Sequence, residues 1–323
     1  MASNIQAQNL RKTFGRIVAV DDISFSVQTG EVLGFLGPNG AGKTTTMRLL
    51  TGYLRPDNGS ITICGTNMFT HPVRAKSAVG YLPEGAPLYS EMTPAAFLKF
   101  TGSARGMEGA RLSGRIEEVA ELVHLREVWN QPVDTLSKGF KRRLGLAQAI
   151  LHDPEVLILD EPTDGLDPNQ KSEVRQLVRA LACSKAIIVS THILEEVHAV
   201  CSRAIIINRG RIAADGTPME LEALSAHHNS VSILLSSGRE ADLAANLEKI
   251  PSVRTVESSE AGEGQTRLLA FPEGGRSILH EVAQTITGGK FEVDEFRQET
   301  GRLDEVFRDL TTEPHEMKGG EPL

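Results

Sequence analysis

The sequence predicts an α/β fold: a mainly parallel sheet entered through a short antiparallel region, followed by a smaller α+β domain. Three observations predict it. Short apolar runs alternate with helical periodicity between residues 31 and 207, the pattern of strand–helix–strand crossovers. One such run, Glu31–Leu36, opens into the glycine-rich turn Gly37-Pro38-Asn39-Gly40-Ala41-Gly42, and Lys43-Thr44-Thr45 then begins a helical segment. After Gly216-Thr217-Pro218 the pattern changes to strand–helix–strand–strand–helix–strand, the ferredoxin-like order.

Taken in order, residues 5–28 alternate apolar and polar with Gly15 between two runs, which predicts an antiparallel pair. Strands are expected at 31–36, 61–64 and 79–82, and residues 94–131 read as mostly helical through spacings such as Ile116, Val119, Ala120 and Val123. Phe140, Leu144, Ala147 and Leu151 continue at helical spacing, and Val156–Leu159 is an apolar strand. A helix over Lys171–Ala182, a strand over Ala186–Ser190, a helix over Leu194–Val200 and a strand over Ala204–Ile207 follow. Beyond them, strands are expected at 231–235, 253–257, 266–271 and 291–296, with helices at 240–250, 277–287 and 302–311. The division is therefore a first domain over 1–222 with a helical subdomain near 86–152, a second over 228–311, and a polar, disordered tail over 312–323.

A chain of 323 residues suits two domains, and 40% hydrophobic with 24% charged residues is ordinary globular composition. The formal charge of −8 is unevenly placed: residues 1–228 carry 24 basic and 24 acidic side chains, so the whole excess lies beyond them. A nucleic-acid binder would show a basic face, and none is expected here. Cys64, Cys183 and Cys201 have no metal-ligand spacing and read as thiols in a reducing compartment. The first residues lack the apolar core of a secretory signal, and no apolar run reaches the roughly 18 residues that span a bilayer.

The turn at Gly37–Thr44 fits GxxxxGK[ST] with a strand before it and a helix after it. Glycines there let backbone N–H groups turn inward on phosphates, and the helix start adds partial positive charge. Lys43 would reach the terminal phosphates of a nucleotide, Thr44 would hold Mg²⁺, and Thr45 would bond an inner phosphate. Val156-Leu-Ile-Leu-Asp160-Glu161 sets two carboxylates at the end of an apolar strand, where ligands sit in open α/β sheets. Asp160 would act on Mg²⁺ through water and Glu161 as general base. Ser137 suits an N-cap, and Gly139 lets a backbone approach closely, although a cap alone needs no ligand. His192 follows another strand, so it falls on the same sheet edge.

These motifs, in this order, resemble the nucleotide-binding domain of ABC transporters over about residues 5–220. The resemblance matches Gly37–Thr45 to the Walker A loop, Leu136–Phe140 to the signature loop and Val156–Glu161 to the Walker B strand. It matches Gly165-Leu166-Asp167 to the D-loop, His192 to the switch histidine, and Phe14 to the aromatic residue that stacks on adenine. It implies a P-loop NTPase cassette that hydrolyses ATP with Mg²⁺ between two head-to-tail copies, each nucleotide closed by Ser137 and Gly139 of the other copy. It also implies a separate polytopic permease, and a cytoplasmic place on the inner face of the cell membrane.

The chain departs from the family at two points. The Q-loop glutamine is replaced by Glu84, whose carboxylate can accept from metal-bound water but adds a negative charge. The signature reads LSKGF rather than LSGGQ, which resembles the ABC-2 type export branch of drug, sodium and gliding ATPases. Residues 228–311, with Arg302-Leu-Asp-Glu-Val-Phe307 near their end, resemble that branch's accessory domain. A soluble ABC ATPase acting on ribosomes or DNA is the competing reading. One cassette per chain, no zinc-type cysteine cluster and an acidic C-terminal part weigh against it. A small-molecule or regulatory sensor is a further reading of residues 228–311, and a dimer-stabilising or regulatory role is the one favoured, since fold alone does not decide function. The transported molecule is not written in this chain.

Overall fold

The computed structural model describes residues 4–312 except 86, 237 and 263. The tail expected to be disordered lies, from residue 313 on, outside the described residues. The chain divides into two compact units between Thr217 and Pro218.

In the first unit, β1 (Ile5–Phe14) and β2 (Ile17–Val27) form the expected antiparallel pair, turning at Gly15 with φ +59°. β3 (Val32–Leu36) is buried throughout and leads into α1 (Lys43–Leu50). β4 (Asn58–Ile63) pairs with β1 and with the short β5 (Thr66–Asn67), completing a sheet ordered β2-β1-β4-β5. α2 (Pro72–Ser77) precedes β6 (Val79–Leu82). The stretch 94–131, expected to be mostly helical, consists of α3 (Pro94–Ala104), α4 (Gly109–Leu122) and a 3₁₀ turn at Arg126–Val128. Gly106 and Gly109 take φ of +77° and +57°, a left-handed conformation that breaks a helix between them.

α5 (Lys138–Ile150) leads to β7 (Val156–Asp160), then α6 (Pro168–Ala182) and β8 (Ala186–Thr191). α6 begins three residues earlier than its apolar spacing suggests, because Asp167 caps it and Pro168 fills its first position. α7 (Leu194–Val200), β9 (Arg203–Asn208) and β10 (Arg211–Gly216) complete the unit. The main sheet is ordered β10-β9-β3-β8-β7-β6 and is parallel except where β10 turns back on β9. The two sheets share one apolar core, in which the rings of Phe25 and Phe35 lie 5.4 Å apart.

The second unit runs α8 (Pro218–Glu222), β11 (Val231–Leu235), α9 (Glu240–Leu247), β12 (Val253–Gly262), β13 (Gln265–Pro272), α10 (Leu279–Gly288), β14 (Glu295–Gln298) and α11 (Leu303–Thr311). Its antiparallel sheet is ordered β12-β13-β11-β14, which is the ferredoxin-like topology. The last strand sits at 295–298 rather than 291–296. Phe291, read as a strand residue, is instead a core plug, with the Arg239 guanidinium 4.4 Å above its ring. Glu305 of α11 bonds Ser225 and, at 2.8 Å, His227.

All three cysteines are free, and burial pushes the Cys201 thiol up to about 12. No helix among the described residues is long and apolar enough to cross a membrane.

His152, after α5, makes one stability prediction. Its Nε2 lies 2.8 Å from Arg105 Nη1 and 3.1 Å from the Val79 carbonyl. Burial first, and the Arg105 charge second, hold its pKa down to about 4 against an ordinary value of 6.5. The unfolded chain therefore binds a proton in that window that the fold refuses. The stabilisation is full above pH 6.5 and is lost as pH falls towards 4. From pH 7 to pH 5 the loss from this group should be about 1–2 kcal/mol, discounted for its partial exposure. Urea midpoints at the two pH values measure it, and His152→Gln should shrink the difference.

Candidate functional site

Parallel register fixes which residues meet. Leu36 of β3 pairs with Thr191 of β8, Asp160 of β7 with Ser190, and Leu82 of β6 with Leu159. The C-terminal ends of four neighbouring strands thus bring the glycine turn, His192, the Asp160–Glu161 pair and the loop with Glu84 to one edge. A cleft of about 440 Å³ opens there, lined by Pro38, Asn39, Gly40, Gly42, Lys43, Thr44, Thr45, Glu84, Glu161, Asp164 and His192. Ile17, Val18 and Ala19 of β2 form its apolar wall.

The glycine turn is tightly built. A Cβ on Gly37 would stand 2.6 Å from the Ile207 carbonyl oxygen. Gly42 caps α1 with φ +108° and abuts the Ala19 carbonyl, so only glycine fits. Lys43 is 7% exposed, and its Nζ donates to the Gly37 carbonyl at 2.7 Å and to Pro38 at 3.3 Å. Burial lowers the Lys43 pKa, while Glu161, Asp160 and Glu84 oppose that by favouring its charge. The result is a buried amine beside open backbone at the start of a helix, an arrangement whose chemistry suits an anionic group.

The carboxylates are set differently from one another. Asp160 is fully buried: Ser190 Oγ donates to its Oδ1, and its Oδ2 has no hydrogen-bond partner. Glu161 adopts a left-handed φ of +51° and is pinned by its N–H donating to the Ser190 carbonyl at 3.1 Å. Such a conformation in a non-glycine residue costs about 1–3 kcal/mol and aims the side chain out of the strand. Its Oε2 lies 2.9 Å from His192 Nδ1, and the histidine side chain is half-exposed. Behind them Glu196 is buried, accepts from Thr191 at 2.7 Å and from Thr163, and has its pKa raised chiefly by burial.

Other expected residues lie apart from the cleft. Ser137 caps α5, accepting from the Phe140 N–H at 3.3 Å. Gly139 leaves no room for a Cβ beside Gln170 of α6. Asp167 spends a carboxylate oxygen on the Gln170 N–H at 2.9 Å. Phe14 is half-exposed, with Lys12 Nζ 5.7 Å from its ring centre, and does not line the cleft. Ile17, Val18 and Asp164 do line it and carry no motif of their own. Arg142 is a further residue that the motifs pass over: it is buried within α5 and bonds the Asp160, Glu161 and Pro162 carbonyls.

The chain's likeness to known proteins decides the family. The family model described as ABC transporter matches residues 20–164. Over 218 residues the chain is 39% identical to the Nod factor export ATP-binding protein I of Ralstonia nicotianae, covering 67% of this chain and 68% of that one. This chain belongs to the ABC transporter ATP-binding family. An uncharacterized ABC transporter ATP-binding protein of Bacillus subtilis, YxlF, is 34% identical over 304 residues, 94% of this chain and 98% of its own length. That likeness therefore extends into the second unit. A solved ATP-binding subunit of an ABC transporter superposes with a TM-score of 0.64 at 28% identity, over 69% of this chain and 93% of that one. The first unit is accordingly an ABC cassette, and the chain is an ATP-driven transporter motor subunit with ATPase activity.

Proposed function

We propose that this ABC subunit works as a head-to-tail pair that closes on two ATP molecules and drives an exporter through a separate membrane permease. The observation that carries the pairing is the split of the expected site. Lys43, Thr44, Glu161 and His192 share one cleft, whereas Ser137 and Gly139 do not line it. A second copy would supply them, with the N-terminus of its α5 pointed at the terminal phosphate. Asp167, beside Gly165, would meet the same interface.

In this reading the turn 37–42 and Lys43 cradle the phosphates, and Thr45 bonds an inner one. Adenine rests on Ile17 and Val18, with Phe14 offering its ring. Glu161 takes the proton of the attacking water, and His192 holds the Glu161 carboxylate in place. The residues fit a magnesium ion, since Asp160 offers a buried carboxylate oxygen without a partner and Thr44 a hydroxyl in the cleft. Bound by Thr44 and Asp160, such an ion would neutralise charge on the transferred group. Glu84, which lines the same cleft, would accept from water bound to that ion. Replacing His192 by alanine should slow turnover by about 10-fold or more with little change in ATP affinity, because it orients the base rather than binding nucleotide. A steady-state assay paired with nucleotide titration reads both quantities.

The export direction rests on the LSKGF signature and on likeness to a relative named for Nod factor export. We assign the second unit as the accessory domain of the ABC-2 type branch, stabilising the pair or regulating it. The working place is the cytoplasmic face of the cell membrane, with no nucleic-acid partner. Tagged Glu161→Gln, purified from solubilised membranes with ATP and Mg²⁺, tests the assignment. Recovery of a stoichiometric polytopic membrane protein supports it. Recovery of ribosomes or DNA instead would favour a soluble ABC ATPase.

A further inference from the structure

We propose that Arg142 is a positioning residue: it holds Glu161 in its left-handed conformation and ties it to the helix that Ser137 begins. Arg142 is 8% exposed. All hydrogen bonds of its guanidinium go to main-chain carbonyls. Nε donates to Pro162 at 3.1 Å, Nη2 to Asp160 at 2.5 Å and to Glu161, and Nη1 to Pro83 at 3.1 Å. Three consecutive carbonyls around a strained residue are thereby held by one planar fork. A left-handed glutamate persists only where its surroundings over-determine it: Ser190 accepts from its N–H, and this fork holds its carbonyl.

The fourth bond widens the role. Pro83 precedes Glu84, so the same group fixes the Glu84 loop against the Glu161 turn. Burial lowers the Arg142 pKa, while Asp164, Asp160, Glu161 and Glu84 all favour its charge. The cation is therefore retained in the interior by carboxylates it does not directly bond. Lysine could keep the charge but not the geometry, since an ammonium is a point donor without the planar fork. α5 thus joins Ser137, which the paired reading above assigns to the partner's nucleotide, to the base of its own site. That last step rests on the paired reading; the positioning of Glu161 does not.

The test compares Arg142→Lys and Arg142→Gln with the parent in steady-state ATPase kinetics and fluorescent-nucleotide titration. Both variants are expected to bind ATP within about twofold of the parent and to lose about 10²-fold in kcat, the size of effect a displaced catalytic group produces. Arg142→Lys falling as far as Arg142→Gln identifies geometry rather than charge as the cause. Parent-like kcat in Arg142→Lys overturns the proposal. Loss of nucleotide binding in both variants overturns it too, because Arg142 would then serve folding alone. Size-exclusion of Glu161→Gln with ATP separates the two ideas: a monomer there sinks the pairing and leaves the kcat expectation for Arg142 standing.

Discussion

Replacing Glu161 by glutamine is expected to leave ATP binding intact and to slow steady-state hydrolysis by roughly 10²–10⁴-fold, the usual worth of a general base. The amide keeps the size of the side chain and can still meet His192 Nδ1, which now lies 2.9 Å from Oε2. It cannot take a proton from water. The backbone at φ +51° is held by the Ser190 carbonyl and by the Arg142 fork, so the turn should not relax. Turnover should therefore collapse while the nucleotide dissociation constant barely moves. Parent-like turnover in the variant would remove Glu161 from the chemistry and leave its strained backbone unexplained.

Replacing Lys43 by alanine is expected to weaken ATP by about 10–10²-fold, since a hydrogen bond to a charged group is worth about 1.5–3 kcal/mol. The amine sits 2.7 Å from the Gly37 carbonyl, already desolvated and already aimed along the turn. Little has to be reorganised when a phosphate arrives. Alanine also leaves Glu161, Asp160 and Glu84 without the cation that they now favour, which adds repulsion against an anionic ligand. Titration with a fluorescent nucleotide measures the loss. An unchanged affinity would mean that backbone N–H groups alone hold the phosphates.

The parts of the site that were legible in the sequence are those encoded locally. Gly37–Thr45 and Asp160–Glu161 need only a strand, a turn and a helix in succession, and each is written within a few residues. His192 could be placed because strand C-termini in a parallel sheet share an edge. Ile17, Val18 and Ala19 were not legible as a cleft wall. They belong to a separate antiparallel sheet, and tertiary packing, with Gly42 and Gly210 both set against the Ala19 carbonyl, brings them to the turn. Asp164 and Arg142 are likewise ordinary charged residues until tertiary structure assigns their neighbours. Within the mostly helical stretch 94–131 the boundary between α3 and α4 falls at Gly106 and Gly109, whose left-handed backbone rather than any change in apolar spacing ends one helix and starts the next. At 291–296, aromatic and β-branched content suggested a strand, yet Phe291 is spent on the core and the ladder begins only at Glu295.

The order of the main sheet has a consequence for how the protein is made. β3, the strand that launches the phosphate turn, is translated early, yet its ladder partners are β8 and β9. A nascent chain that has not reached Ala186 carries an apolar strand with both edges unpaired. Pairing must wait for roughly 150 further residues, on the order of ten seconds or more at ordinary translation speeds. Until then the chain cannot shelter behind its own ligand, because half of the proposed nucleotide site has not yet been synthesised. Chaperone demand should accordingly peak in mid-synthesis and fall once β9 has left the ribosome.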